Sequence, residues 1–179
     1  YRPPSIFEIP GARDVAIEFH SLSKTYNMTG WRCGWAVARP EVASVLAKVK
    51  SFVDTGTFMA VQAAGAAALD AWERFVPGNL RTFRERRDAA VDAFRAAGFT
   101  CETPRATMYL WIPLPAGVPS AAFAERVLND EGVVVLPGSS FGAGGEGFFR
   151  ISFITSPDRI AEAAVRAGRV LDGFEAPVA

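Results

Sequence analysis

Apolar positions recur along the chain in two rhythms. Behind Pro40, Val42, Val45, Leu46, Val49 and Val53 fall at steps of three and four. That spacing predicts a helix opening at the proline, with one apolar face to lay on a sheet. The alanine-rich stretch from Phe58 to Trp72 predicts a second, tightly packed helix, broken at Pro77-Gly78. Leu80, Phe83, Val91 and Phe94 then mark the buried side of a long charged helix over Asn79 to Ala97, with Gly98 as its stop. Two more helices are predicted, one from Ser120 to Glu131 between Pro119 and Gly132, the other opening at Ser156-Pro157 and running to Leu171.

The other rhythm is that of strands. It predicts them at Asp14–Phe19, Trp31–Ala38, Thr100–Glu102, Met108–Ile112, Val133–Leu136 and Phe148–Ile154. The segment around Trp31 and Trp35, rich in glycine and aromatics, reads as a buried strand crossing close to a neighbour, with both tryptophans and Cys33 in the core. Between Phe19 and that strand lies a polar segment ending at Lys24. Beyond Gly98 the order of elements is α+β, and the chain has no internal repeat.

Composition narrows the function classes. Half of the 179 residues are apolar and 21% are charged, which fits a globular protein and not a disordered one. Nineteen Lys and Arg balance nineteen Asp and Glu, so the electrostatic footprint of a nucleic-acid binder is missing. Cys33 and Cys101 stand far apart and His20 is the single histidine, which points to free thiols and to neither a disulfide framework nor a metal site. No apolar run is long enough to cross a bilayer and Tyr1-Arg-Pro-Pro4 is not a signal segment, so a cytoplasmic location is expected.

Candidate chemistry centres on Lys24, preceded by Ser21 and Ser23 and followed eight residues later by Arg32. A lysine that attacks an aldehyde needs a rigid base and a setting that frees its amine. Hydroxyls and a guanidinium nearby suit a phosphate, since Arg offers it a planar fork of donors. Together they describe a site for a phosphorylated aldehyde cofactor. On spacing alone a second reading stands beside it, in which Ser-Leu-Ser is a polar turn, Lys24 a solvated lysine and Arg32 an ion-pair partner. His20, at a strand end, reads as a packed or hydrogen-bonded neighbour without a catalytic role.

The run Ser21-Leu-Ser-Lys24-Thr-Tyr-Asn-Met-Thr-Gly-Trp-Arg32-Cys-Gly-Trp35 resembles the cofactor-lysine segment of the class I and II aminotransferases, pyridoxal-phosphate enzymes of fold type I. Pro104-Arg-Ala-Thr-Met-Tyr109 is similar to the family's Pro-x-Gly-x-(Phe/Met)-aromatic strand, with Ala106 where glycine is usual. Val135-Leu-Pro-Gly138-Ser-Ser-Phe-Gly142 and Gly147-Phe-Phe-Arg150-Ile-Ser resemble the stretch whose arginine binds the substrate α-carboxylate. The resemblance implies that Lys24 carries pyridoxal 5'-phosphate covalently and shuttles the proton, that Ser21 and Arg32 hold the cofactor phosphate with Ser23 as a weaker candidate, and that Arg150 grips the carboxylate. Thr55 lies where the family often reaches the cofactor of a partner subunit, but Asp54-Thr-Gly-Thr57 departs from the usual pattern.

The resemblance further implies a homodimer acting on an amino acid and a 2-oxo acid, with the segment around Lys24 closest to the LL-diaminopimelate, aspartate and alanine aminotransferases. Carbon–sulfur lyases share these motifs, as do ligand-sensing aminotransferase-like domains of transcription regulators. Residues 1–76 are expected to form the C-terminal part of the large α/β cofactor domain, 77–98 an interdomain helix, and 99–179 the α+β small domain. Family chains are about twice as long, and their cofactor-ring contacts precede the region corresponding to Tyr1. The 179 residues alone are therefore expected to be inactive and poorly soluble.

Overall fold

A computed structural model describes residues 1–175 and divides into two compact units, Tyr1–Leu80 and the residues from Arg81 onward. In the first unit, Gly11 turns the chain at φ +79° into a short helix α1 (Ala12–Val15). The expected strand at Asp14 therefore begins later, at β1 (Glu18–Ser21). Glu18 fixes its start: Oε2 accepts from Ser5 Oγ at 2.6 Å and from the Ile6 amide at 2.9 Å. β1 pairs antiparallel with β2 (Gly34–Val37), with His20 opposite Trp35 and Ser21 opposite Gly34.

Between the two strands run a helical turn α2 (Leu22–Thr25) and a 3₁₀ turn over Thr29–Trp31. Here β2 is shorter than the pattern suggests, because Arg32 at φ +51° bends the chain just before it. The hairpin is also not buried: Trp31 is half exposed, Trp35 lies at the surface stacked on His20 with ring centroids 4.9 Å apart, and Cys33 is only partly covered. The expectation that these residues form core fails because the local pattern marks them as apolar without supplying the layer that would cover them.

Helix α3 (Pro40–Val53) opens at its proline as expected. Its apolar face packs on no sheet in this unit: Val45, Val49 and Val53 are 63%, 56% and 74% exposed. The alanine-rich helix is α4 (Met59–Asp70), and the break before the next helix falls at Ala71, not at Pro77-Gly78. Pro77 sits inside α5 (Trp72–Ala96), where it gives up its own bond toward the preceding turn and crowds the carbonyl there without ending the helix. The seam between the two units falls within α5.

In the second unit α5 ends as its glycine predicts. Gly98 takes φ +90°, and the amide of Phe99 reaches back to the carbonyl of Phe94 at 3.0 Å. Residues 100–102 form no strand, since the carbonyl of Cys101 is taken by Arg95, whose Nη2 donates to it at 2.8 Å. The sheet is β3 (Tyr109–Pro113), β5 (Phe148–Ser152) and β4 (Leu136–Pro137), antiparallel in the order β3-β5-β4. Only the last residue of the expected strand over Val133–Leu136 pairs; Val134 is exposed and Val135 buried.

Helix α6 (Ser120–Glu131) has the predicted bounds, and Gly132 ends it at φ +67°. Helix α7 (Pro157–Glu175) runs past the expected end at Leu171 because Phe174 packs on Phe123. The core is built on phenylalanine: Phe94, Phe123, Phe149 and Phe153 are fully buried, with Phe99 between Phe94, Phe123 and Phe149 at centroid distances of 5.3–6.0 Å. At about 25 cal/mol per Å² of apolar surface, each such ring contributes on the order of 2–3 kcal/mol. Among the described residues no helix is long and apolar enough to cross a membrane, and no His, Cys, Asp and Glu cluster could hold a metal.

Candidate functional site

Four of the five residues singled out from the sequence, Ser21, Ser23, Lys24 and Arg32, come together in the loop between β1 and β2. Ser21 ends its strand in extended backbone and caps α2, its Oγ accepting from the Ser23 amide at 3.1 Å. The carbonyl of Ser23 accepts from Thr29 Oγ1 at 2.8 Å, and the carbonyl of Thr29 accepts from Arg32 Nη1 at 2.8 Å. A continuous hydrogen-bonded chain thus links Ser21 to Arg32 across the lysine turn.

Leu22 supplies the apolar anchor of this turn. It is 1% exposed, its amide donates to the Cys33 carbonyl at 3.1 Å, and its carbonyl receives the Met28 amide at 3.2 Å. Asn79 closes the far side, Nδ2 donating to the Thr25 carbonyl at 3.1 Å while Oδ1 accepts from Asn27 Nδ2 at 3.0 Å. Against so many constraints Lys24 is exposed, and its side-chain amine makes no hydrogen bond or ion pair among the described residues. A fixed backbone carries an uncommitted amine.

Arg32 is held in left-handed backbone, which costs a bulky L-residue roughly 1–3 kcal/mol and persists only where the surroundings over-determine it. One of its nitrogens is spent on Thr29, leaving the remaining donors of the guanidinium free for an anion. Ser21 is exposed at the surface of the turn, whereas Ser23 is buried at 6% exposure. The donor set of Ser21 and Arg32 suits a phosphate monoester, and the unpaired amine of Lys24 suits an aldehyde. The residues present therefore fit pyridoxal phosphate, with Ser23 the least available of them. Thr55 lies in an exposed loop whose Asp54 pairs with Lys50 and accepts from the Gly56 amide at 2.8 Å.

His20 flanks this turn and takes the packed role expected of it. Its Nε2 lies 2.7 Å from Glu18 Oε1, and its ring lies nearly parallel to Trp35. The hydroxyl of Ser5 is the largest influence on the Glu18 carboxyl, and with the Ile6 amide and His20 it outweighs the opposing effect of burial and holds the group below its usual range.

The fifth residue, Arg150, belongs to the second unit. It stands on β5 opposite Trp111 of β3 and Leu136 of β4. Its guanidinium carbon lies over the ring of Tyr109 at 4.2 Å and over that of Phe141 at 4.4 Å. Among the described residues its guanidinium makes no hydrogen bond or ion pair, so its donors are unspent. It opens on a groove of about 720 Å³ that Thr103, Arg105, Tyr109 and Trp111 also line. Tyr109 is visible in sequence only as a motif position, and Phe141 only as part of a glycine-rich run; neither pattern says that the rings meet Arg150.

Known proteins share this architecture. The curated LL-diaminopimelate aminotransferase of Moorella thermoacetica is 49% identical over 98% of this chain and 45% of its own length. That of Nitratidesulfovibrio vulgaris is 50% identical over 94% of this chain and 44% of its own. Among solved structures, a probable N-succinyldiaminopimelate aminotransferase from Thermus thermophilus superposes with a TM-score of 0.86 at 37% identity, covering 93% of this chain and 45% of that one. An aromatic aminotransferase from Pyrococcus horikoshii gives 0.90 at 30% identity, over 98% and 48%. The chain thus spans less than half the length of the relatives it matches. The profile of the family described as aminotransferase class I and II matches residues 7–166, and to that family the chain belongs.

Proposed function

We propose that the chain is part of a pyridoxal-phosphate-dependent aminotransferase, contributing the cofactor lysine from its first unit and the substrate-carboxylate arginine from its second. The observation that carries this reading is the lysine turn, in which Ser21, Leu22, Thr29 and Asn79 fix the backbone while the amine of Lys24 stays uncommitted. Pyridoxal phosphate, when bound, supplies an aldehyde to carry the amino group and a ring that accepts the electron pair left at the substrate Cα. Ser21 and Arg32 hold its phosphate, with Ser23 behind them. Lys24 Nζ would take the proton from the substrate Cα and deliver it to C4′ of the cofactor, the carbon that bears the amino group. Arg150 grips the α-carboxylate in a bidentate fork, which fixes the orientation of the substrate Cα.

The names of the curated relatives favour LL-diaminopimelate as donor, with a 2-oxo acid as acceptor. The first unit then belongs to a large cofactor domain and the second is the small domain of a cytoplasmic homodimer.

The test is made on a hybrid in which these 179 residues replace the matching half of the Moorella relative. Incubation with pyridoxal phosphate, borohydride reduction and peptide mapping place the label on Lys24. Label spread evenly over Lys24, Lys48 and Lys50, or none at all, overturns the reading.

A further inference from the structure

The segment from Gly138 to Glu146 is fastened more firmly than its small contribution to the core requires. A β-carbon on Gly138 would overlap the carbonyl of Gly145, and one on Gly145 the carbonyl of Gly138, so two backbones cross where no side chain fits. Glu146 Oε1 accepts from the Ser120 amide at 2.7 Å and Oε2 accepts from Ser120 Oγ at 3.0 Å. Ser120 is fully buried, and its Oγ receives the Ser139 amide at 3.3 Å and lies 3.0 Å from Ser139 Oγ. The segment is thereby tied to the first turn of α6 at one end and crossed upon itself at the other.

What this fastened segment presents is a single large ring. Phe141 is 49% exposed, so burial does not explain its place. Its neighbours are Arg150, at 4.4 Å from guanidinium carbon to ring centre, and Trp111, whose ring meets it edge to face at 5.6 Å. Trp111 in turn stacks on Phe148 at 5.5 Å, which steadies it from the sheet. The guanidinium is held by ring faces and by no carboxylate or carbonyl among the described residues. Ring faces restrain the guanidinium plane without occupying its in-plane N–H groups, which is the state in which a planar fork meets a carboxylate at the least cost in ordering.

We infer that Phe141, seated by the Glu146–Ser120–Ser139 network, is a positioning residue that holds the plane of the Arg150 guanidinium for a carboxylate. This rests on the reading of Arg150 as the carboxylate arginine.

The test uses the hybrid with the Moorella relative, labelled with ¹⁵N on arginine. In the unaltered protein, rotation about the Nε–Cζ bond of Arg150 is slower than in the exposed Arg159, and acetate added in titration shifts the Arg150 Nε–H signal. Phe141→Leu speeds that rotation and weakens acetate by roughly two- to fivefold. Phe141→Tyr restores both, while thermal unfolding stays unchanged in either variant, as a half-exposed ring predicts. Rotation in the unaltered protein as fast as in Arg159, or rotation and affinity untouched in Phe141→Leu, overturns the positioning role. A slow Arg150 that acetate does not shift overturns instead the carboxylate reading on which it rests.

Discussion

The side chain of Leu22 closes on the bare backbone of Gly65, where a β-carbon would lie 2.8 Å from Leu22 Cδ1. This contact ties α4 to the turn that carries Lys24. Leu22→Ala leaves a void at a fully buried site and is expected to cost about 2–5 kcal/mol. Gly65→Ala meets only the movable end of Leu22 and gains helix propensity inside α4, so it stays within about 1 kcal/mol of the parent. Chemical denaturation of both variants checks the ranking; a neutral Leu22→Ala would mean that the turn is held by its hydrogen bonds alone.

At the hairpin, a β-carbon on Gly34 would run into the carbonyl of His20 across the strand pair. Backbone on both sides leaves little room to yield. Gly34→Ala is expected to destabilise by about 1–3 kcal/mol. Gly30→Ala, with open space around the added carbon and no left-handed backbone, stays within about 0.5 kcal/mol of the parent. Equal melting temperatures for the two would refute the close crossing.

Arg32 sets stability against binding. Arg32→Gly releases left-handed strain of roughly 1–3 kcal/mol and loses one exposed hydrogen bond of about 1 kcal/mol to Thr29. The expected outcome is a chain no less stable than before that binds inorganic phosphate more weakly. Calorimetry with and without phosphate reads both quantities. A variant destabilised by more than about 1 kcal/mol would place the residue's value in the fold and not in the anion site.

Glu146 gives the second unit a pH dependence of known sign. The amide of Ser120, then its hydroxyl and the Gly147 amide, hold the Glu146 carboxyl below its usual range, against a weaker opposing effect of burial. A carboxyl whose pKa is lowered by folding binds its proton more readily when unfolded. The stability it lends is complete above the ordinary glutamate pKa and disappears as the pH falls through the lowered folded value. Unfolding followed from neutral to acid pH should show less loss over that window in Glu146→Gln than in the parent. Parallel curves would show that the network does not depend on the charge.

Features carried by neighbouring residues are legible in the sequence. Lys24 and its serines sit within a few residues of one another, and the caps Gly98 and Gly132 act on the helices they end. Long-range contacts are not legible in this way. Nothing local says that Arg95 takes the carbonyl of Cys101, and so cancels a strand, or that Glu146 caps a helix beginning 26 residues earlier. Pro77 misleads because proline is read as a helix end, although it removes one bond and the packing of a 25-residue helix outweighs that loss. Periodicity also identifies the apolar face of α3 correctly, but periodicity states which side is apolar and not whether anything covers it.

The uneven burial of the two units has a thermodynamic consequence. In the first, the apolar residues below a tenth exposure are Ala12, Leu22 and Met28, whereas the second encloses the whole phenylalanine cluster. Heat-capacity change and denaturant sensitivity scale with the surface a unit exposes on opening. Both should therefore report almost entirely on the residues beyond Arg81. Amide protons of α6, β5 and α7 should exchange with solvent only through global opening. Those around the lysine turn exchange through cheap local excursions, and a ligand bound there would be read most directly as their slowing.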